Sequence, residues 1–99
     1  MIVVFTEEAE VDLEHIANYI AEANPRRAVS FVDELVDCCQ RLAEAPQGYP
    51  LVPRYRHSGV RRRSYGRYLV FYRVGADRID ILHVLHGAQD YEAILFPGD

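Results

Sequence analysis

The apolar positions of this chain change period three times, and each change marks an element. Residues 2–5, IVVF, form a short β-branched run of the kind that fits a pleated, half-buried surface, and they predict a strand. From Thr6 onward the spacing lengthens. Ala9, Leu13, Ile16, Ala17 and Ile20 fall on one face at helical spacing, so a first helix is expected over about 7–22. Thr6 offers an N-cap hydroxyl, and Glu7, Glu8 and Glu10 put negative charge on the first turns, where the helix dipole favours it. ANPRRA then breaks the pattern. Asn24 is a cap, Pro25 suits a first helical position, and Ala28, Phe31, Val32, Leu35, Val36, Cys39 and Leu42 make a second stripe. The second helix is expected over about 25–44, stopped by Pro46, with Leu13, Ile16, Phe31 and Leu35 in the core. So short a link predicts an antiparallel helical hairpin.

Residues 45–59 hold three prolines and two glycines and read as a tethered loop. Three strand candidates follow: VRRRSY (60–65), YLVFYRV (68–74) and IDILHVLH (79–86). The last is apolar on both faces, as a central strand is. Gly66-centred and 75–78 turns connect them. The tail is polar until Ile94, Leu95 and Phe96, with Asp90 placed to cap a short final turn or to pair with Tyr91 in chemistry. The order is β–α–α–β–β–β. One arrangement buries these stripes: an α+β fold with a helical hairpin on one face of a small, mainly antiparallel sheet. The opposite face has no second layer of elements to cover it, so it is expected to be polar or to meet a partner.

Charge changes this picture more than composition does. The chain has 99 residues and a formal charge of −4, yet all its basic residues are arginine, and seven of them fall within residues 54–74 without one acid. Residues 1–50 hold three arginines against ten acids; residues 51–99 hold eight against five. Along 60–65, Val60, Arg62 and Ser64 point one way and Arg61, Arg63 and Tyr65 the other, so arginine occupies both faces and the strand belongs at or near an edge. Three uses of these arginines are open: pairing with the acidic helices, holding phosphate or bases beside Tyr55, Tyr65 and Tyr68, or docking an acidic peptide.

A chain of this length buries about 60–65% of its unfolded surface, enough for one domain with one modest core. No apolar run approaches the ~18–20 residues of a membrane span, and the N-terminus lacks a basic region and a small-residue cleavage site, so the expectation is a cytoplasmic protein with no membrane partner. Cys38 and Cys39 are adjacent and unsuited to a mutual disulfide. With His15, His57, His83 and His86 they lack ligand spacing, so neither metal nor other cofactor is expected. On a strand, His83 and His86 point to opposite faces, which suits one packed histidine and one at the strand end.

The segments EAEVDLEHIANYIAEANPRRAVSFVDEL, LAEAPQGYP, GVRRRSYGRYLVFYRV and IDILHVLHGAQDYEAILF together resemble the RelE/ParE superfamily of type II toxin–antitoxin toxins, its ParE-like branch in particular, over residues 3–96. The resemblance implies the fold above as a single toxin domain over residues 1–99. It also implies a cognate antitoxin that wraps and neutralises the chain. One branch of the superfamily cuts messenger RNA on the ribosome with basic residues and a tyrosine; the other poisons DNA gyrase. Arg61 matches the strand arginine of the superfamily and Tyr91 its late tyrosine, while Gln89 stands where an arginine is usual. The expectation is therefore a gyrase inhibitor with no catalytic residue and no sequence-specific DNA binding of its own. A ribosome-dependent endoribonuclease and a non-toxic binding module of the same fold are the alternatives. The target-facing surface is expected at Arg61, Arg62, Arg63, Arg67, Gln89, Asp90 and Tyr91, and the antitoxin-facing one at Arg54, Tyr55, Arg56, Tyr65 and Arg73.

Overall fold

A computed structural model describes residues 1–98. Its elements are β1 (Ile2–Phe5), α1 (Glu7–Ala21), α2 (Pro25–Gln40), β2 (Val60–Tyr65), β3 (Tyr68–Val74), β4 (Arg78–His86) and α3 (Tyr91–Leu95). The second helix ends four residues before its expected limit, because Arg41–Glu44 tightens into a 3-10 turn. The last strand begins one residue early, at Arg78.

Local chemistry sets these ends. The Thr6 hydroxyl accepts from the Ala9 amide at 3.1 Å while donating to the Ile81 carbonyl at 2.8 Å, so one residue caps α1 and ties it to β4. Asn24 caps α2 through the Arg27 amide, with Pro25 just inside. The sheet order is β1-β4-β3-β2; β1 runs parallel to β4, and the other pairs are antiparallel. Between β3 and β4 the register shifts. Phe71 faces His83 and Tyr72 faces Ile81, which leaves Leu82 as the extra residue of a bulge.

The main core lies between the helical hairpin and the sheet. Ile16, Leu35, Cys39, Val70, Tyr72, Ile79 and Ile81 are buried there. Leu13 and Phe31, expected inside, are only half-buried at its rim, where Phe31 packs against Tyr65 and Tyr68 at ring distances of 5.8 and 5.6 Å. Tyr72 keeps its hydroxyl satisfied by donating to the Pro46 carbonyl at 2.7 Å.

The opposite sheet face is not bare, contrary to the expectation from element order. Val52, Val60, Phe71 and Leu85 form a second buried cluster, roofed by Tyr55, Leu69, Leu82, Tyr91, Leu95 and Phe96. The cover comes from the proline-rich loop and from α3. Neither has the length or periodicity to announce itself as a layer, but apolar side chains on both faces of β3 and β4 drive the burial.

Candidate functional site

The arginine strand β2 is an edge strand, as its sequence requires, and its alternation separates its arginines completely. On the hairpin side, the Arg61 guanidinium donates to the Tyr49 carbonyl at 2.7 Å and the Gln47 carbonyl at 3.4 Å. Arg63 donates to the Cys38 carbonyl at 3.1 Å and lies 4.9 Å from the centre of the Tyr49 ring. That carbonyl belongs to the last turn of α2, where helical carbonyls lack partners and the dipole favours a cation. Tyr65 donates to Glu34 at 2.6 Å, and Glu34 is paired with Arg27. The Arg27 hydrogen bond, then that of Tyr65, holds the Glu34 carboxyl below its ordinary range, and the same contact pushes the Tyr65 phenol up. On the far side Arg62 donates to the Tyr91 hydroxyl at 2.8 Å.

The strand arginines therefore do not neutralise the acidic helices. They satisfy carbonyls and a phenol. Among the described residues the arginine ion pairs lie elsewhere: Arg27–Glu34, Arg41–Glu44, Arg54–Glu92 and Arg78–Asp80. Proximity in sequence to an acidic half does not bring carboxylates within reach, whereas a helix end and a loop lie directly across from β2.

The outer edge of β2 is half covered. Val52 donates to the Val60 carbonyl at 2.9 Å and Arg62 donates to the Pro50 carbonyl at 3.0 Å. Those bonds fix Val60 and Arg62 as the residues whose backbone groups point outward, so by alternation Ser64 points outward as well. Beyond Pro50 this edge opens into a groove of about 420 Å³ lined by Tyr49, Pro50, Arg62, Arg63, Ser64 and Leu69.

A second group of predicted residues gathers at the opposite end of β2. Tyr55 stacks on Phe96 with ring centres 4.0 Å apart and planes 4° from parallel. Arg54 pairs with Glu92 at 3.3 Å. Arg56 and His57 are exposed on a 3-10 turn, and Arg73 donates through Nε to the Ser58 carbonyl at 3.1 Å. Tyr65, expected with this group, lies on the hairpin side instead. Arg67 and Gln89 share the other end of the sheet, where Gly87 donates to the Arg67 carbonyl at 2.8 Å. The Gln89 side chain is occupied locally, accepting from the His86 amide at 2.8 Å. Asp90 caps α3 through the Ala93 amide.

Asp12 was not singled out in the sequence. One of its carboxylate oxygens meets His83 Nδ1 at 2.7 Å and the Val84 amide at 2.9 Å. It replaces β1 as the partner of β4 where β1 ends. The signal was present: Asp12 lies three residues after Ala9 and four before Ile16, a polar residue on an apolar stripe. His86 sits at the strand end, its ring T-shaped to that of Tyr68 with centres 5.3 Å apart. Cys38 and Cys39 are free and buried; burial pushes the Cys39 thiol up to about 12. Among the described residues no cluster of three or more histidine, cysteine or acidic side chains is arranged for a metal, and no helix is long and apolar enough to cross a membrane.

A helical hairpin on a four-stranded sheet, with an arginine edge strand and a short C-terminal cover, is a fold this chain shares with solved chains of toxin–antitoxin systems. Residues 3–91 match the family described as the ParE toxin of the type II toxin–antitoxin system, parDE, and the chain belongs to that family. It is 36% identical over 87 residues to Toxin ParE2 of Mycobacterium tuberculosis, spanning 86% of this chain and 80% of that one. It is 34% identical over 89 residues to Toxin ParE1 of Caulobacter vibrioides, spanning 88% and 90%. Among solved structures, a chain of the chromosomal ParDE system from P. aeruginosa superposes with a TM-score of 0.71 at 26% identity, covering 87% of this chain and 95% of the other. A chain of the RelBE2 toxin–antitoxin complex from M. tuberculosis shares the fold, with a TM-score of 0.62 at 24% identity over 86% and 95%.

Proposed function

We propose that this toxin arrests growth by trapping DNA gyrase, not by cutting messenger RNA, and that a cognate antitoxin silences it. The observation that carries the reading is the split of the arginines across β2. Cleavage by 2′-hydroxyl attack needs a base, an acid and charge stabilisation converging on one phosphate. Arg61 and Arg63 are turned to the hairpin side and hold backbone carbonyls, while Tyr91 lies on the far side with Arg62 alone. Gln89, whose side-chain oxygen accepts from the His86 amide, brings no positive charge to the set. Trapping a large enzyme on DNA requires a surface instead of a converged set. The relatives named ParE support the same choice.

The antitoxin reading is supported by the free edge of β2. Ser64 presents outward backbone groups beside a groove flanked by Arg62 and Arg63, which suits an extended acidic segment adding as a strand. Proline at Ser64 removes an outward N–H without touching the β2–β3 ladder. A Ser64→Pro variant that folds normally yet loses co-purification with the protein of the adjacent reading frame supports this docking; undiminished capture removes it.

Induction without antitoxin separates the mechanisms. Filamentation with a DNA-damage response and intact ribosome-bound transcripts is the expected outcome. Cuts within ribosomal A-site codons would favour the ribonuclease reading, for which the Arg62–Tyr91 pair is the supporting contact. Neither response, at good expression, would favour a non-toxic binding module.

A further inference from the structure

We propose that Arg54, Arg56 and Arg73 form a sequence-independent contact surface for the phosphate backbone of duplex DNA. Three observations carry it. First, Arg54 is the only non-glycine residue with a positive φ, at 71°, among those described. Glycine fills that conformation without strain, so an arginine there is held against a backbone cost. Its side chain is three-quarters exposed at 75%, and its one partner, Glu92, is met at 3.3 Å through a single guanidinium nitrogen.

Second, the three side chains are positioned on a braced turn. The Tyr55–Phe96 stack anchors its middle, Ser58 Oγ accepts from the Val60 amide at 3.1 Å, and Gly59 turns the chain at φ 76°. Arg73 is fixed to this turn through Nε alone, which leaves its two terminal nitrogens to face solvent. Arg56 has no side-chain hydrogen bond or ion pair among the described residues. Little conformational freedom remains to be lost by the turn when a ligand binds.

Third, two of the nearby acids are already engaged, and the exception is Glu8, which lines a shallow groove together with Arg73. Glu92 is taken by Arg54, and Asp80, the cross-strand neighbour of Arg73, is taken by Arg78 at 3.1 Å. Pro53, Arg54, Arg56 and His57 are all exposed, so the tip of the turn projects two guanidinium groups and an imidazole into solvent. Exposed forked cations suit phosphate oxygens, which accept paired N–H bonds. Phosphate contacts read no sequence, and they place on DNA a protein whose total charge is −4 only through this local surface.

The test uses the purified full chain alone, so it is independent of gyrase and of any antitoxin. Fluorescence anisotropy with a short labelled duplex at low salt is expected to detect weak binding. Its log–log salt slope should lie near −2.7, about −0.9 for each of three phosphates neutralised. Arg54→Gln, Arg56→Gln and Arg73→Gln together should abolish binding, and each single change should shorten the slope by about one. A charge-matched triple variant at Arg26, Arg41 and Arg78 should bind as the parent does. Equal loss in both triple variants, absence of binding at low salt, or equal binding to polyglutamate would overturn the proposal. Circular dichroism confirms that each variant is folded.

Discussion

The hydroxyl of Tyr91 accepts a 2.8 Å hydrogen bond from the guanidinium of Arg62, 29 residues earlier in the chain. This contact joins the last helix to the edge strand across the second sheet face. The Tyr91 ring also packs on Phe71 with centres 5.0 Å apart, so one residue closes the smaller core with both its apolar body and its polar tip.

Tyr91→Phe is therefore expected to cost about 1.5 kcal/mol, the low end for a hydrogen bond to a charged group, because Arg62 and Tyr91 are only half-buried and water can replace the lost partner. Tyr91→Ala should cost more by exposing Phe71. Urea unfolding measures both. Hydrogen exchange over residues 91–96 should quicken more than exchange in α2, because Tyr91 is one of the anchors of α3, beside the Tyr55–Phe96 stack and the Arg54–Glu92 pair.

Leu35 is fully buried in the main core, whereas Phe31 sits at its rim. Leu35→Ala should cost about 2–5 kcal/mol, a large share of the stability of a domain this size. Phe31→Ala should cost less. Equal shifts in melting temperature would contradict this placement of the helix faces.

Asp12→Ala leaves the Val84 amide without its acceptor and His83 without its partner. The expected loss is about 1–3 kcal/mol from the unsatisfied amide. Asp12→Asn, which keeps one oxygen acceptor, should recover part of it. The Val84 amide is the local reporter by hydrogen exchange.

Glu34 supplies a pH dependence whose sign is fixed. Its carboxyl is held low by Arg27 first and Tyr65 second, so its contribution is present above the ordinary carboxylate range and is lost as pH falls through the lowered folded value. The difference in urea midpoint between parent and Glu34→Gln should shrink on passing from neutral pH to below about 4. A constant difference would exclude the pairing in solution.

Burial holds the Cys39 thiol up to about 12, and Cys38 is shifted the same way by desolvation. Both should resist iodoacetamide in native buffer and react fully in denaturant, since the thiolate is the nucleophile. Mass spectrometry after timed alkylation reads this directly.

Several features were legible in the chain because they are local. The caps at Thr6 and Asn24, the two stripes, the β-branched strands and the arginine edge each depend on residues within a few positions of one another, and the periods 3.6 and 2 report them. The alternation of Arg61, Arg62 and Arg63 was likewise fixed by the strand period. What the arginines touch was decided by the tertiary fold. Arg63 meets the Cys38 carbonyl, Arg61 the Tyr49 carbonyl and Arg62 the Tyr91 hydroxyl, across 25, 12 and 29 residues of chain. The cover over Phe71 and Leu85 belongs to the same kind of relation. A proline-rich loop and a five-residue helix carry no periodic signal, and they become a layer only once the sheet presents an apolar face for them to bury. Period records which way a side chain points; contact depends on which distant backbone the fold brings opposite it.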